Sequence, residues 1–212
     1  MNCEPGPNLA LIGYRATGKT SVARQIVPLL RNHPRLRTHF TPAWIDTDLE
    51  IEKRCGRSIS QIFLHSGESF FRDRESELLR ELCSRRTGVI ATGGGAPLRP
   101  GNRTLLRRAG TIVWLTASPE TIARRIHADP TSADRRPTLE VEKNFPGNPI
   151  ADTDSERAGI PENEQIEKIR FVLRQREPIY RELADLTFSS ESDSPEKLAS
   201  LILDALDAGI EP

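Results

Sequence analysis

The sequence predicts an α/β domain, a parallel sheet flanked by helices, and three observations carry that expectation. Short apolar runs alternate with segments of helical periodicity along the chain, the pattern of strands joined by crossover helices. The stretch GYRATGKT, Gly13 to Thr20, follows the apolar run Leu9 to Ile12 directly and precedes an apolar helical stripe. It therefore sits in the strand, loop and helix context that G-x-x-x-x-G-K-[ST] requires. At 212 residues the chain can bury one substantial core, so residues 1–212 are expected to form a single domain with a mobile appendage.

Taken in order, the first strand is Leu9 to Ile12 and the first helix carries Val22, Ile26, Leu29 and Leu30 as its stripe, with Pro28 expected to kink or shorten it. The second strand is Ala43 to Ile45. Ser58 with Gln61 forms a capping box at a helix start, and a further helical pattern runs from Glu68. Val89 to Ala91 and Ile112 to Leu115 are the third and fourth strands. Ser118-Pro119-Glu120 and Ser194-Pro195-Glu196 mark helix starts in which proline fits the first turn. Leu186 to Phe188 is the fifth strand, and Leu198, Leu201, Ile202, Ala205 and Leu206 give the last helix one core face.

Composition excludes several classes. Thirty basic residues balance thirty acidic ones, which argues against a nucleic-acid partner. No apolar run reaches membrane-spanning length, and the start MNCEPGPN lacks a basic stretch followed by an apolar one, so no membrane association and a cytoplasmic location are expected. Cys3, Cys55 and Cys83 are odd in number and widely spaced, suggesting neither a disulfide framework nor a zinc site. Of the basic residues 25 are Arg, a bias that guanidinium recognition of anions and a GC-rich genome explain equally.

The loop at Gly13 to Thr20 has a chemistry of its own. Backbone N–H groups around Gly13, Ala16, Thr17 and Gly18 converge on phosphate oxygens, Lys19 reaches the terminal phosphates of a nucleoside triphosphate and Thr20 faces Mg²⁺. The helix that starts here, with Ser21 in its first turn, adds its N-terminal dipole. Ligands in such sheets gather beyond the carboxyl ends of the strands. After the second strand comes WIDTD, where Asp46 supports Mg²⁺ beside Thr20 and Asp48 reaches an acceptor hydroxyl, the competing role for Asp48 being a helix cap. The third strand runs into TGGGA, Thr92 to Ala96, whose glycines let backbone approach a ligand. Arg72 and Glu75 stand three apart, either as a surface ion pair or with Glu75 orienting Arg72 toward an anionic substrate. Arg174, Arg176 and Arg181 occupy a helix approaching the fifth strand, where solvation is the ordinary fate of each.

Together GYRATGKT, IDTDLEIEKRCGRSI, FLHSGESFFRDRE, VIATGGGA, RRP and REPIYRELAD resemble, in this order, the motifs of the shikimate kinases. The resemblance implies a P-loop three-layer α/β/α sandwich of the nucleoside monophosphate kinase-like kind, with a five-stranded parallel sheet in the order 2-3-1-4-5 and a mobile lid. It implies transfer of the ATP γ-phosphoryl group to the 3-hydroxyl of shikimate, on the route to chorismate and aromatic amino acids, by a monomer. Asp48 would contact the reacting hydroxyl, and Arg72, Gly94, Gly95 and Arg176 would hold the substrate. Arg136, within RRP, would be the lid arginine over the phosphates, and Phe63 and Phe71 match positions flanking the pocket. The assignment is chemically coherent, because guanidinium forks suit a carboxylate and a carboxylate acceptor suits a hydroxyl.

Two departures stand out. Ala16 occupies a position where the family commonly has Gly, a small change unless positive φ is needed there. An acidic stretch, Glu140 to Asn163, enlarges the lid region at about 124–164, leaving two candidates, Arg135 and Arg136, for the lid arginine. Another P-loop kinase, such as a gluconate kinase, shares the loop but leaves Arg72, Arg176 and the triple glycine unexplained together. A GTP-dependent switch would carry [NT]-K-x-D, which is missing, and an inactive binding module would lack Lys19, Asp46 or Asp48.

Overall fold

The computed structural model describes residues 8–129 and 162–209. Arg135, Arg136, the lid expected around them, Cys3 and all but the last two residues of the Glu140 to Asn163 stretch lie outside the described residues.

The sheet has the expected order, β2-β3-β1-β4-β5, every neighbouring pair parallel. Its strands are β1 (Asn8–Ile12), β2 (Trp44–Asp46), β3 (Val89–Ala91), β4 (Gly110–Thr116) and β5 (Leu186–Ser189). The helices are α1 (Lys19–Asn32), α2 (Leu36–His39), α3 (Thr47–Cys55), α4 (Ile59–Cys83), α5 (Pro100–Ala109), α6 (Pro119–Ala128), α7 (Glu162–Leu183) and α8 (Pro195–Ala208). Alternation along the strands builds the three layers. Leu9 and Leu11 of β1 join Val113 and Leu115 of β4 against α1 and α8. Ala10 and Ile12 join Ile112 and Trp114 on the other face, against α4, α5 and α7.

Local chemistry sets the element ends. The Ser58–Gln61 capping box is formed in both directions, at 3.3 and 3.0 Å. Ser118 and Ser194 accept from the backbones of Thr121 and Lys197, with proline following each. Helix α4 is interrupted at Gly67, whose φ of 79° and ψ of 167° are not helical, so the pattern beginning at Glu68 is its second half. Gly88 is fixed by space, since a Cβ there would stand 2.4 Å from the Ala43 carbonyl oxygen.

Helix α1 departs from expectation twice. Pro28 does not shorten it, the helix continuing through Asn32, whose side chain donates to the Pro28 carbonyl. Leu29 is exposed, and the buried residues are Val22, Ala23, Ile26, Val27 and Leu30. At about 100° per residue that arc centres on Leu30 and Ala23, and Leu29 falls roughly 100° off its centre. On α8, Leu203 belongs to the buried face with Leu198, Ile202 and Leu206, while Leu201 and Ala205 are half-buried at its margin.

Candidate active site

The turn from β1 into α1 forms the first half of the site. A Cβ on Gly13 would lie 2.4 Å from the Leu115 carbonyl oxygen, so the loop can only leave the sheet through glycine. Gly18 takes a left-handed φ of 89° and opens α1 at Lys19, putting the helix N-terminus behind the loop. Lys19 is buried and its Nζ donates to the carbonyls of Gly13 and Tyr14, at 2.8 and 2.6 Å. Thr17 Oγ1 donates to the Tyr14 carbonyl at 2.8 Å, while Ser21 lies exposed in the first turn of α1. Ala16 does adopt positive φ, 59°, alone among the described non-glycine residues.

The DTD sequence resolves into two distinct roles. Asp46, not Asp48, is the cap of α3: its Oδ1 accepts from the backbones of Asp48 and Leu49 at 2.9 and 3.2 Å. Its Oδ2 accepts from Thr20 Oγ1 at 2.5 Å, which binds the start of α1 to the start of α3. Asp48 sits two residues on, in the first turn of α3, buried and lining the pocket beneath β3.

That pocket adjoins the phosphate loop. Arg72 enters it from α4, and it is no surface residue: Nη1 donates to Glu75 Oε2 at 2.9 Å and Nη2 to Glu68 Oε1 at 3.1 Å. Glu75 has no exposed surface, and burial pushes its carboxyl up to about 7, the Asp48 charge adding to this against the opposing Arg72. The glycines after β3 are required by contact. A Cβ on Gly95 would stand 2.5 Å from both terminal nitrogens of Arg72, and one on Gly93 would stand 2.5 Å from Asp48 Oδ1 and 2.8 Å from Glu75 Oε1. Gly94 rests against the phosphate loop, its Cβ position 3.2 Å from the Arg15 nitrogen, and its carbonyl accepts from the Tyr180 hydroxyl at 2.6 Å.

Of Arg174, Arg176 and Arg181 on α7, only Arg176 turns inward, with 3% of its surface exposed, while Arg174 and Arg181 face solvent. The Arg176 guanidinium lies 5.5 Å from the centre of the Tyr14 ring. Phe63 and Phe71 meet at 5.1 Å between ring centres and form both an apolar wall of the pocket and part of the core. The structure thus gathers Asp48, Arg72, Gly94, Gly95 and Arg176 in one pocket next to Lys19, with Thr20 and Asp46 behind.

Sequence reasoning missed Gly93 and Arg15 as pocket residues. Gly93 was signalled by standing first in the triple glycine. Arg15 had no signal, because the loop motif leaves its position unspecified. What the pocket offers is a set of guanidiniums facing a buried carboxylate pair across a phosphate-binding loop, an arrangement for an anionic alcohol and a nucleoside triphosphate.

The shikimate kinase family model matches residues 15–207. The shikimate kinase of Syntrophus aciditrophicus is 41% identical over 196 residues, covering 92% of this chain and 89% of that protein. That of Thioalkalivibrio sulfidiphilus is 38% identical over 195 residues, covering 92% and 84%. Among solved structures, shikimate kinase from Acinetobacter baumannii in complex with shikimate superposes with a TM-score of 0.75 at 32% identity, covering 98% of this chain and 97% of that one.

Proposed function

The chain belongs to the shikimate kinase family and is an ATP-dependent small-molecule kinase of aromatic amino acid biosynthesis, and on that premise we propose how its residues divide the reaction. Shikimate occupies the pocket beside the phosphate loop, its carboxylate on the forks of Arg72 and Arg176 and its ring against Gly94, Gly95 and the phenylalanine wall. Its 3-hydroxyl faces Asp48. The new O–P bond forms as the bond from Pγ to ADP breaks, and the hydroxyl proton leaves toward Asp48.

Lys19 holds the transferring phosphates, and the loop backbone from Gly13 through Ser21 cradles the rest. To Arg136 we assign, from the family resemblance alone, the neutralising of phosphate charge. Thr20 and Asp46 suit Mg²⁺, because a hydroxyl and a carboxylate oxygen 2.5 Å apart are hard donors and a second Asp46 oxygen is already engaged in capping α3. When bound, the ion neutralises phosphate charge. Two protein oxygens are enough, since Mg²⁺ beside a nucleotide takes its remaining ligands from phosphates and water. Among the described residues no helix is long and apolar enough to cross a membrane. We take the enzyme to work as a cytoplasmic monomer on one undivided domain.

The observation that carries this reading is the position of Arg72: buried, held by Glu75, and pressed on Gly95 at the mouth of the phosphate loop. ADP release measured with ATP and shikimate, quinate or gluconate tests it. Turnover with shikimate at least tenfold above the other two is expected, and equal rates would reject the assignment of acceptor.

A further inference from the structure

Three arginines border the acceptor pocket, and the proposed function uses two of them. The third is Arg15, which belongs to the phosphate loop itself yet lines the acceptor pocket. Its guanidinium lies 5.7 Å from the centre of the Tyr14 ring, the ring that Arg176 approaches at 5.5 Å, so a buried tyrosine carries both cations. The Gly13 and Tyr14 carbonyls, immediately before Arg15, accept from Lys19 Nζ. On the other side Gly94 packs on the Arg15 backbone. Arg15 therefore stands at the seam between the lysine of the phosphate site and the glycines of the acceptor site, half-buried where Arg72 and Arg176 are buried.

Charge points the same way. Arg15, Arg72 and Arg176 border a pocket that also holds Asp48 and Glu75, and the acceptor substrate brings one carboxylate. Transfer then places a phosphate ester in the pocket, bringing about −1.5 to −2 more charge. Arg72 is held by Glu68 and Glu75 of α4, and Arg15 belongs to the loop that delivers the phosphoryl group.

We propose that Arg15 is a catalytic residue that touches the phosphoryl group during transfer and holds it on the product, without anchoring the shikimate carboxylate. This rests on the reading of the pocket as the shikimate site. The acceptor oxygen bonds to Pγ, the bond to ADP breaks, and Arg15 supplies donors to the phosphoryl oxygens on the acceptor side, opposite Lys19.

Titration calorimetry of shikimate and of shikimate 3-phosphate into wild type, Arg15→Met, Arg15→Gln and Arg15→Lys tests it, with kcat measured alongside. For Met and Gln we expect shikimate affinity within threefold of wild type, shikimate 3-phosphate affinity at least tenfold weaker and kcat at least tenfold lower, with Lys recovering part of both losses. Equal weakening of the two ligands would overturn the proposal by making Arg15 a general anchor, and unchanged product affinity with unchanged kcat would make it a prop for Tyr14. Wild-type protein that binds neither ligand would remove the premise as well, an outcome distinct from either. Unfolding temperature and ATP KM close to wild type separate these losses from misfolding, and the Gln variant, which keeps a polar stem, serves if Met does not fold.

Discussion

The Arg72 guanidinium donates to Glu75 Oε2 at 2.9 Å, joining a cation that lines the acceptor pocket to a carboxylate with no exposed surface. The two stand one helical turn apart, and burial of Glu75 outweighs the attraction of its partner, leaving that carboxyl at about 7 against an ordinary 4.5. Between those values the folded chain holds a proton that the unfolded chain has released. The group's contribution to stability is therefore fully present below about pH 4.5 and is lost as pH rises through about 7. Glu75→Gln removes the titration. Urea unfolding at several pH values between about 5 and 8 should show wild type losing stability relative to Glu75→Gln as pH rises, and parallel profiles would mean that Glu75 is charged throughout.

Gly95→Ala should act on the substrate through Arg72. The new methyl would meet both terminal nitrogens at 2.5 Å, and the guanidinium, held by Glu68 and Glu75, can escape only by leaving its place at the pocket. We expect shikimate KM to rise at least tenfold, the loss of a charge-assisted contact of about 1.5 to 3 kcal/mol, with ATP KM changed less than threefold. Equal rises in both constants would place the damage in the phosphate loop. Gly88→Ala, crowded by the Ala43 and Thr41 carbonyls instead, should lower the unfolding temperature at the base of β3.

Asp46→Asn and Asp48→Asn separate support of the metal from contact with the acceptor. Asparagine caps helices about as well as aspartate, so Asp46→Asn keeps α3 anchored while removing the charge beside Thr20. It should raise the Mg²⁺ concentration needed for half-maximal turnover by about tenfold. Asp48→Asn should instead depress kcat by at least about a hundredfold at saturating Mg²⁺, the scale of a lost general base. Superimposable Mg²⁺ titrations of the two variants would refute this division.

Much of this was legible in the sequence because it is written in short-range patterns. The five strands, the Ser58, Ser118 and Ser194 caps and the phosphate loop each depend on neighbours within a few residues, and the structure places them within one or two positions of expectation. The spacing of Arg72 and Glu75 left a surface pair and a substrate arginine both open, and Arg176 was singled out from its neighbours only through the family resemblance, since an arginine on an amphipathic helix reads the same whether it faces water or a pocket. Of the long-range contacts, Asp46 beside Thr20 was legible from the loop motif, and others were not. That Asp46 rather than Asp48 caps α3 depends on backbone direction after β2, and the need for Gly93 depends on two carboxylates from α3 and α4 meeting under β3. Leu29 was misread because its spacing from Val22 fits the stripe while the sheet covers the arc beyond it.

Ala16 offers the remaining test, because its φ of 59° puts a side chain where glycine is favoured. A residue with a Cβ pays about 1 to 2 kcal/mol in the left-handed region. Glycine removes that strain but loses about 0.5 to 1 kcal/mol through greater freedom in the unfolded chain. The loop tolerates alanine because its conformation is held from outside: Arg125 of α6 donates from Nη1 to the Ala16 carbonyl at 3.2 Å and also grips Ser190 after β5. Ala16→Gly should thus stabilise the chain by up to about 1 kcal/mol, a rise of roughly 2–4 °C in unfolding temperature for a domain of this size. ATP KM should remain within threefold, since the backbone path that presents the N–H groups is unchanged. A fall in unfolding temperature would show that Ala16 contributes packing that outweighs its backbone strain, and a large rise in ATP KM with normal stability would show that the methyl group helps hold the loop in its phosphate-binding form.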